Sequence, residues 1–234
     1  MGKIYIERVQ EPKQQIGCGF HSITRNVASK KNHSLKNDKL ASMTMMQNTL
    51  IQMKESIKQA NTVICDMDDT LVYTSYANFR AYQIAIYEVF GVTLSYTALK
   101  RFTKESLLEY FPLLERHCFD QIVEIKNELF ADYIQETSLN YILTHLIKNI
   151  SQDKKLILST NATKSRAVLL LKHHNLYHYF DDLFYKENHK ENKFETIVNT
   201  LGTDRQKVVV FENETTQIAL AEKVGIPAQN IFKI

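Results

Sequence analysis

The last third of the chain alternates short apolar runs with helical stretches, and this alternation limits the fold more than any other feature. Leu156-Ile157-Leu158-Ser159-Thr160 precedes helical Ala167-Val168-Leu169-Leu170-Leu171, and Leu183-Phe184-Tyr185 precedes helical Phe194 to Leu201. Val208-Val209-Val210-Phe211 leads into helical Ile218 to Val224, and Ile231-Phe232 closes the sequence. Strands separated by helices in this order form a parallel sheet with helices on both faces. An earlier run, Asn61-Thr62-Val63-Ile64-Cys65-Asp66, is apolar, β-branched and ends in acid, the pattern of a buried strand of the same sheet. Between these strands lies a helical block. Tyr76, Phe79, Tyr82, Ile86 and Phe90 follow helical spacing up to Gly91, a C-terminal cap, and amphipathic stretches run through Ser106 to Leu114, Phe119 to Ile134 and Leu139 to Ile150. The first strand belongs with the later ones, so this block is an insertion.

Composition narrows the chemistry. Only 6 of 234 residues are Gly, and no G-x-x-x-x-G-K-[ST] or strand-to-helix G-x-G-x-x-G occurs, which argues against a P-loop NTPase or a dinucleotide-binding enzyme. With 3 unpaired Cys, neither a disulfide framework nor a four-cysteine zinc site is expected, and Cys18-x-x-His21 has no second pair. No apolar run approaches the ~20 residues of a membrane span, so a cytoplasmic location is expected. Residues 1–58 hold 10 Lys/Arg and 4 Asp/Glu, so the net +3 of the whole conceals an acidic remainder. Residues 1–40 read as a basic, mobile leader that lacks interleaved aromatics, so nucleic-acid binding is not expected. Met43, Met46, Leu50, Met53 and Ile57 mark one face of a helix, which packs within the chain or serves a homodimer. The expected organisation is therefore leader 1–40, helix and first strand 41–72, helical cap 73–150, and the rest of the core 151–234.

Ligands of parallel α/β sheets bind at the carboxyl ends of the strands. Those ends read Asp66-Met67-Asp68-Asp69-Thr70, Ser159-Thr160-Asn161 and Glu212-Asn213-Glu214. Acids, hydroxyls and an amide thus converge on one crevice. His173, His174 and His178 have no acids or cysteines clustered with them and read as surface residues, and Cys65, on the strand before Asp66, reads as core packing.

The run Val63 to Val72, with its D-x-D-x-T, resembles the first motif of the haloacid dehalogenase (HAD) superfamily. Leu156 to Asn161 is similar to the second motif, and Val209-Val210-Phe211-Glu212-Asn213 to the fourth motif of its β-phosphoglucomutase-like and phosphoglycolate phosphatase-like branch. Ile218 to Pro227 is also similar to that branch, in which the insertion is a helical cap. The resemblance covers about residues 60–234 and implies an α/β, HAD-like (Rossmann-like) parallel sheet with helices on both faces plus an inserted α-helical cap. It implies a Mg²⁺-dependent phosphatase that hydrolyses a small phosphorylated metabolite through an aspartyl-phosphate. Asp66 would be the nucleophile, Asp68 the general acid and base, and Thr160 a phosphate-binding hydroxyl; Thr70 and Asn161 would line the substrate position. Asp66, the backbone carbonyl of Asp68, Asn213 and Glu212 would supply the metal ligands. The second acid, Asp68, favours phosphate esters over the superfamily's dehalogenase and phosphonatase chemistries.

Two positions depart from the pattern. Asn213 stands where the fourth motif has Asp, bringing an amide oxygen without charge, so metal binding is weakened unless Glu212 compensates. The motif-three lysine is followed by Pro in the family, and no Lys here is. By distance to the fourth motif, Lys190 comes first as the catalytic lysine, Lys193 next as a phosphate-binding alternative, and Lys186 third. These departures keep two other readings open: a sugar phosphomutase, and a binding or regulatory protein on a weakened HAD scaffold.

Overall fold

The computed structural model describes residues 47–97, 101–188 and 192–234. The leader expected over 1–40 lies outside these residues, as do Cys18, His21, Met43, Met46 and Lys190.

Five parallel strands form the central sheet: β1 (Thr62–Cys65), β4 (Lys155–Ser159), β5 (Asp182–Phe184), β6 (Val208–Glu212) and β7 (Ile231–Lys233), in the order β5-β4-β1-β6-β7. Alternation along each strand sorts the side chains. Val63, Cys65, Leu156, Leu158, Val209 and Phe211 face one side, where they pack against helix α1 (47–59), α5 (Tyr141–Ile150) and α6 (Lys164–His173). Ile64, Ile157, Val208 and Val210 face the other, against α7 (Lys193–Leu201) and α8 (Thr215–Lys223). The sheet is therefore buried on both faces, which is why its strands are nearly continuous apolar runs. Met53 and Ile57 are buried in this core with Leu50 packed against it, so the described part of the α1 stripe is used within the chain. The homodimer expected through that stripe is not supported. No helix among the described residues is long and apolar enough to cross a membrane.

The insertion holds α2 (Ser75–Phe90), α3 (Lys104–Tyr110) and α4 (Arg116–Leu129), followed by a 3-10 segment (Phe130–Glu136). Phe79, Tyr82, Ala85, Ile86, Phe102, Leu107 and Ile122 form a hydrophobic cluster of their own. Helix α2 ends at Gly91 with φ 66°, a left-handed backbone that costs glycine little. Although α5 falls within the helical block, its Leu143 and Ile147 join the sheet core and not the α2–α4 cluster. His174, expected on the surface, is half-buried and hydrogen-bonded at 2.7 Å to Thr137 Oγ1, and its burial and His173 lower its pKa.

Where the insertion leaves and rejoins the core, β2 (Val72–Tyr73) pairs antiparallel with β3 (Ser138–Leu139), a ribbon of two residues per strand. Asn140 fastens this junction. Its amide donates to the Thr70 carbonyl at 3.0 Å, its side-chain oxygen accepts from Leu143 N at 3.2 Å to cap α5, and its backbone N–H donates to the Leu71 carbonyl. Asn140→Ala removes the cap and leaves a buried carbonyl unpaired, so chemical denaturation should show a loss of about 2 kcal/mol. An unchanged midpoint would mean that the junction does not depend on these bonds.

Candidate active site

Strand register builds the site. Cys65 lies level with Leu158 on one side and Phe211 on the other, so the residues that follow emerge together at the carboxyl edge of the three central strands. Asp66 N donates to the Phe211 carbonyl at 3.0 Å, and Thr160 N to the Phe184 carbonyl at 3.0 Å, fixing both loops to the sheet. The turn after Asp66 is closed by Leu71 N and Val72 N, which both donate to Met67 O. At its tip Asp69 adopts φ 57°, a left-handed conformation that Asp tolerates better than most residues. Its carboxylate then receives Thr74 N at 2.8 Å and Ser75 N at 3.0 Å, anchoring the start of α2 to this turn.

Lys193 is the cation at the centre. Asn192 caps α7 by accepting from Phe194 N and Glu195 N, which makes Lys193 the first residue of the helix. Its Nζ lies 2.9 Å from Asp66 Oδ1, 2.7 Å from Glu212 Oε2 and 3.3 Å from the Ser159 carbonyl, with the residue 2% exposed. Glu212 Oε1 accepts from Asn213 N and Glu214 N, each at 3.1 Å, so both of its oxygens are engaged. Two buried carboxylates share one ammonium, which leaves an excess negative charge. Burial raises the Asp66 pKa, and Glu212 adds to the rise against the opposing pull of Lys193. Burial by itself would lower the lysine, but Asp66 and Glu212 hold its pKa above the ordinary value. Thr70 Oγ1 donates to Asp66 Oδ2 at 3.0 Å and completes the surroundings of this carboxylate.

Asp68 is held differently. Arg166, from α6, meets its Oδ1 at 2.5 Å, Thr74 Oγ1 donates to the same oxygen at 2.6 Å, and Arg101 Nη2 lies 3.7 Å away. Burial would raise this carboxyl, yet the two guanidiniums and the Thr74 hydroxyl bring it below the usual carboxylate range. Arg101 also reaches Asp69 at 3.4 Å and Glu214 at 3.7 Å, tying the insertion to two strand-end loops. Neither arginine lies in a recognisable motif. Only the folded chain brings residues 101 and 166 to the acid at 68.

The remaining expected residues fall as follows. Thr160 is buried, with its hydroxyl accepting from Ala162 N at 3.0 Å, and Asn161 beside it is exposed. Asn213 Oδ1 is buried without a hydrogen-bond partner among the described residues. Lys186 is exposed at the rim of the crevice. Asp66, Asp68, Thr160, Asn161, Lys186 and Lys193 all line one cavity of about 330 Å³, open to solvent. Asn78, Tyr82, Arg101, Lys126 and Arg166 are among the other residues that line it.

Among the described residues no group of three or more His, Cys, Asp and Glu side chains is gathered as a metal cluster. The strand ends nevertheless suit one hard divalent cation. Asp66 and Glu212 carry more negative charge than Lys193 neutralises, and the amide oxygen of Asn213 is an unused oxygen donor. Oxygen donors with surplus negative charge are the environment Mg²⁺ takes.

Residues 63–231 match the sequence profile of the haloacid dehalogenase-like hydrolases. The chain belongs to this family. No curated protein sequence matches it. Among solved structures it is similar to a haloacid dehalogenase-like family hydrolase from Streptococcus pneumoniae, with TM-score 0.61, 20% identity, and 72% of this chain and 83% of that one covered. A predicted phosphatase from Clostridium acetobutylicum matches with TM-score 0.61, 17% identity and coverage of 72% and 82%. A predicted phosphoglycolate phosphatase from Haemophilus somnus matches with TM-score 0.60, 15% identity and coverage of 71% and 83%. At these identities the likeness is one of fold.

Proposed function

We propose that the protein is a Mg²⁺-dependent phosphatase that transfers the phosphoryl group of a small phosphate ester to Asp66 and then to water. The observation that carries this reading is the pairing of Asp66 with Lys193 at the strand ends, beside Thr160 and within a cavity that also holds Asp68. A carboxylate nucleophile must be ionised, and Lys193 favours that form while presenting positive charge to a transferring phosphoryl group. The Thr160 hydroxyl donates to a phosphoryl oxygen. Asp68 protonates the departing oxygen and later takes a proton from water. For the first of these duties it must hold a proton, which Arg166 opposes, so the arginine has to release Asp68 when substrate enters. Asp66, the Asp68 carbonyl and Asn213 are the residues that would hold Mg²⁺, with Glu212 behind them on Lys193. The ion, when bound, supplies the charge that lets a carboxylate approach an anionic phosphate.

Turnover of p-nitrophenyl phosphate at millimolar Mg²⁺, abolished by chelator, is the test. Absence of turnover would remove the phosphatase reading and favour a second one, a binding protein on the same scaffold, which the uncharged Asn213 and the Arg166 clamp on Asp68 support. Asn213→Asp adds a charged oxygen to the metal donors. We expect it to lower the Mg²⁺ concentration giving half-maximal activity about tenfold or more, as followed by metal titration. An unaltered titration would take Asn213 out of the donor set.

A further inference from the structure

Six Lys/Arg and four Asp/Glu side chains line the cavity, and the cations are not all matched by acids. Lys126 is the clearest case. It comes from α4, its residue is 5% exposed, and among the described residues no carboxylate lies within ion-pair distance of it. Its Nζ is 5.1 Å from the centre of the Tyr82 ring and 5.7 Å from that of Phe130. Arg166 reaches the same Phe130 ring, its guanidinium carbon 4.0 Å from the centre. One edge of that guanidinium is spent on Asp68 and Asn78, but its Nε is buried with no acceptor among the described residues. A buried ammonium with no ion-pair partner among the described residues and a guanidinium that Asp68 engages along one edge only thus stand at one ring, and both residues line the cavity. Leaving such groups unpaired is costly. Burial first, and then the repulsion of Arg166, pushes the Lys126 pKa down to about 7, as expected of a cation placed among cations.

We propose that Lys126 and Arg166 form a second anion position in the cavity, and that the substrate is a phosphate ester whose leaving group carries a further acidic group. This assignment rests on the phosphatase reading for the first position, at Asp66 and Lys193. The shared chemistry is a compact oxyanion, either a carboxylate or a second phosphate. Lys126 is then a specificity residue: it contacts the part of the substrate that does not react, and a neutral leaving group gains nothing from it.

Calorimetric titration with compounds that cannot be hydrolysed tests this without turnover. The probes are 3-phosphonopropionate, propane-1,3-bisphosphonate and propylphosphonate, in Mg²⁺ buffer. At least one doubly acidic probe should bind about tenfold or more tightly than propylphosphonate, since hydrogen bonds to a charged partner are the strong ones. Which of the two gains more identifies the acidic group as carboxylate or phosphate. In Lys126→Met the advantage should shrink to less than about twofold, and Lys126→Arg should retain part of it. Methionine fills the site and removes a buried charge, so the variant should melt no lower than the parent. Equal binding of singly and doubly acidic probes, or an advantage that persists in a folded Lys126→Met protein, overturns the proposal. If aryl phosphate turnover is absent but the preference stands, the phosphatase reading fails and the second anion position survives.

Discussion

Asp66→Asn is expected to lower turnover of any phosphate ester roughly a thousandfold or more, because a neutral amide cannot serve as the carboxylate nucleophile. The same substitution should raise, and not lower, the melting temperature measured in chelator. Asparagine keeps its one oxygen for Lys193 and turns its amide N–H toward the Thr70 hydroxyl, which can accept, while Lys193 and Glu212 become a matched pair in place of two acids sharing one ammonium. The sign with pH follows from the raised Asp66 carboxyl. The folded protein keeps this proton to higher pH than the unfolded chain does, so ionisation costs the parent stability as pH rises beyond the ordinary carboxylate range. The variant is spared that loss, and its advantage should grow from acid toward neutral pH. Retention of turnover would remove Asp66 from the chemistry, and a lower melting temperature would remove the account of the charges.

Lys193→Met should be the most damaging substitution for the fold. It takes away the one ammonium between Asp66 and Glu212 and leaves two buried carboxylates facing each other. Breaking a buried ion pair by deleting one member typically costs about 3 to 5 kcal/mol, a large part of a domain's ~5 to 15 kcal/mol. Because the damage arises from the stranded acids, adding Glu212→Gln should recover part of the loss, so that the double variant is more stable than Lys193→Met alone. Urea unfolding of the four members of this cycle measures the coupling. Strict additivity would show that Lys193 and Glu212 act independently.

The sheet was legible in the sequence because its strands are buried on both faces, so that Val63-Ile64 and Val208-Val209-Val210 stand out as apolar runs. Asp66, Thr160 and Glu212 could be placed at one edge since strands of a parallel sheet end together. The lysine was harder. Distance along the chain puts Lys190 ahead of Lys193, and Lys190 lies outside the described residues. A local signal favouring 193 does exist: Asn192 followed three residues later by Glu195 resembles a helix-start pattern, and it puts Lys193 at the strand-end side of α7. Arg101, Lys126 and Arg166 carry no such signal, since they reach the crevice only through the packing of the insertion on the core. The two-residue strands β2 and β3 are too short for any periodicity to show, and the affiliation of α5 with the sheet depends on which neighbour buries Leu143 and Ile147.

That small ribbon has an evolutionary corollary. Val72 pairs with Leu139 and Tyr73 with Ser138, so more than sixty residues depart from and return to adjacent points in the chain. The entropic cost of closing such a loop rises only slowly with its length. The insertion can therefore be lengthened, shortened or exchanged without shifting Asp66, Thr160 or Lys193, so what the crevice admits can diverge while the strand-end site is inherited unchanged.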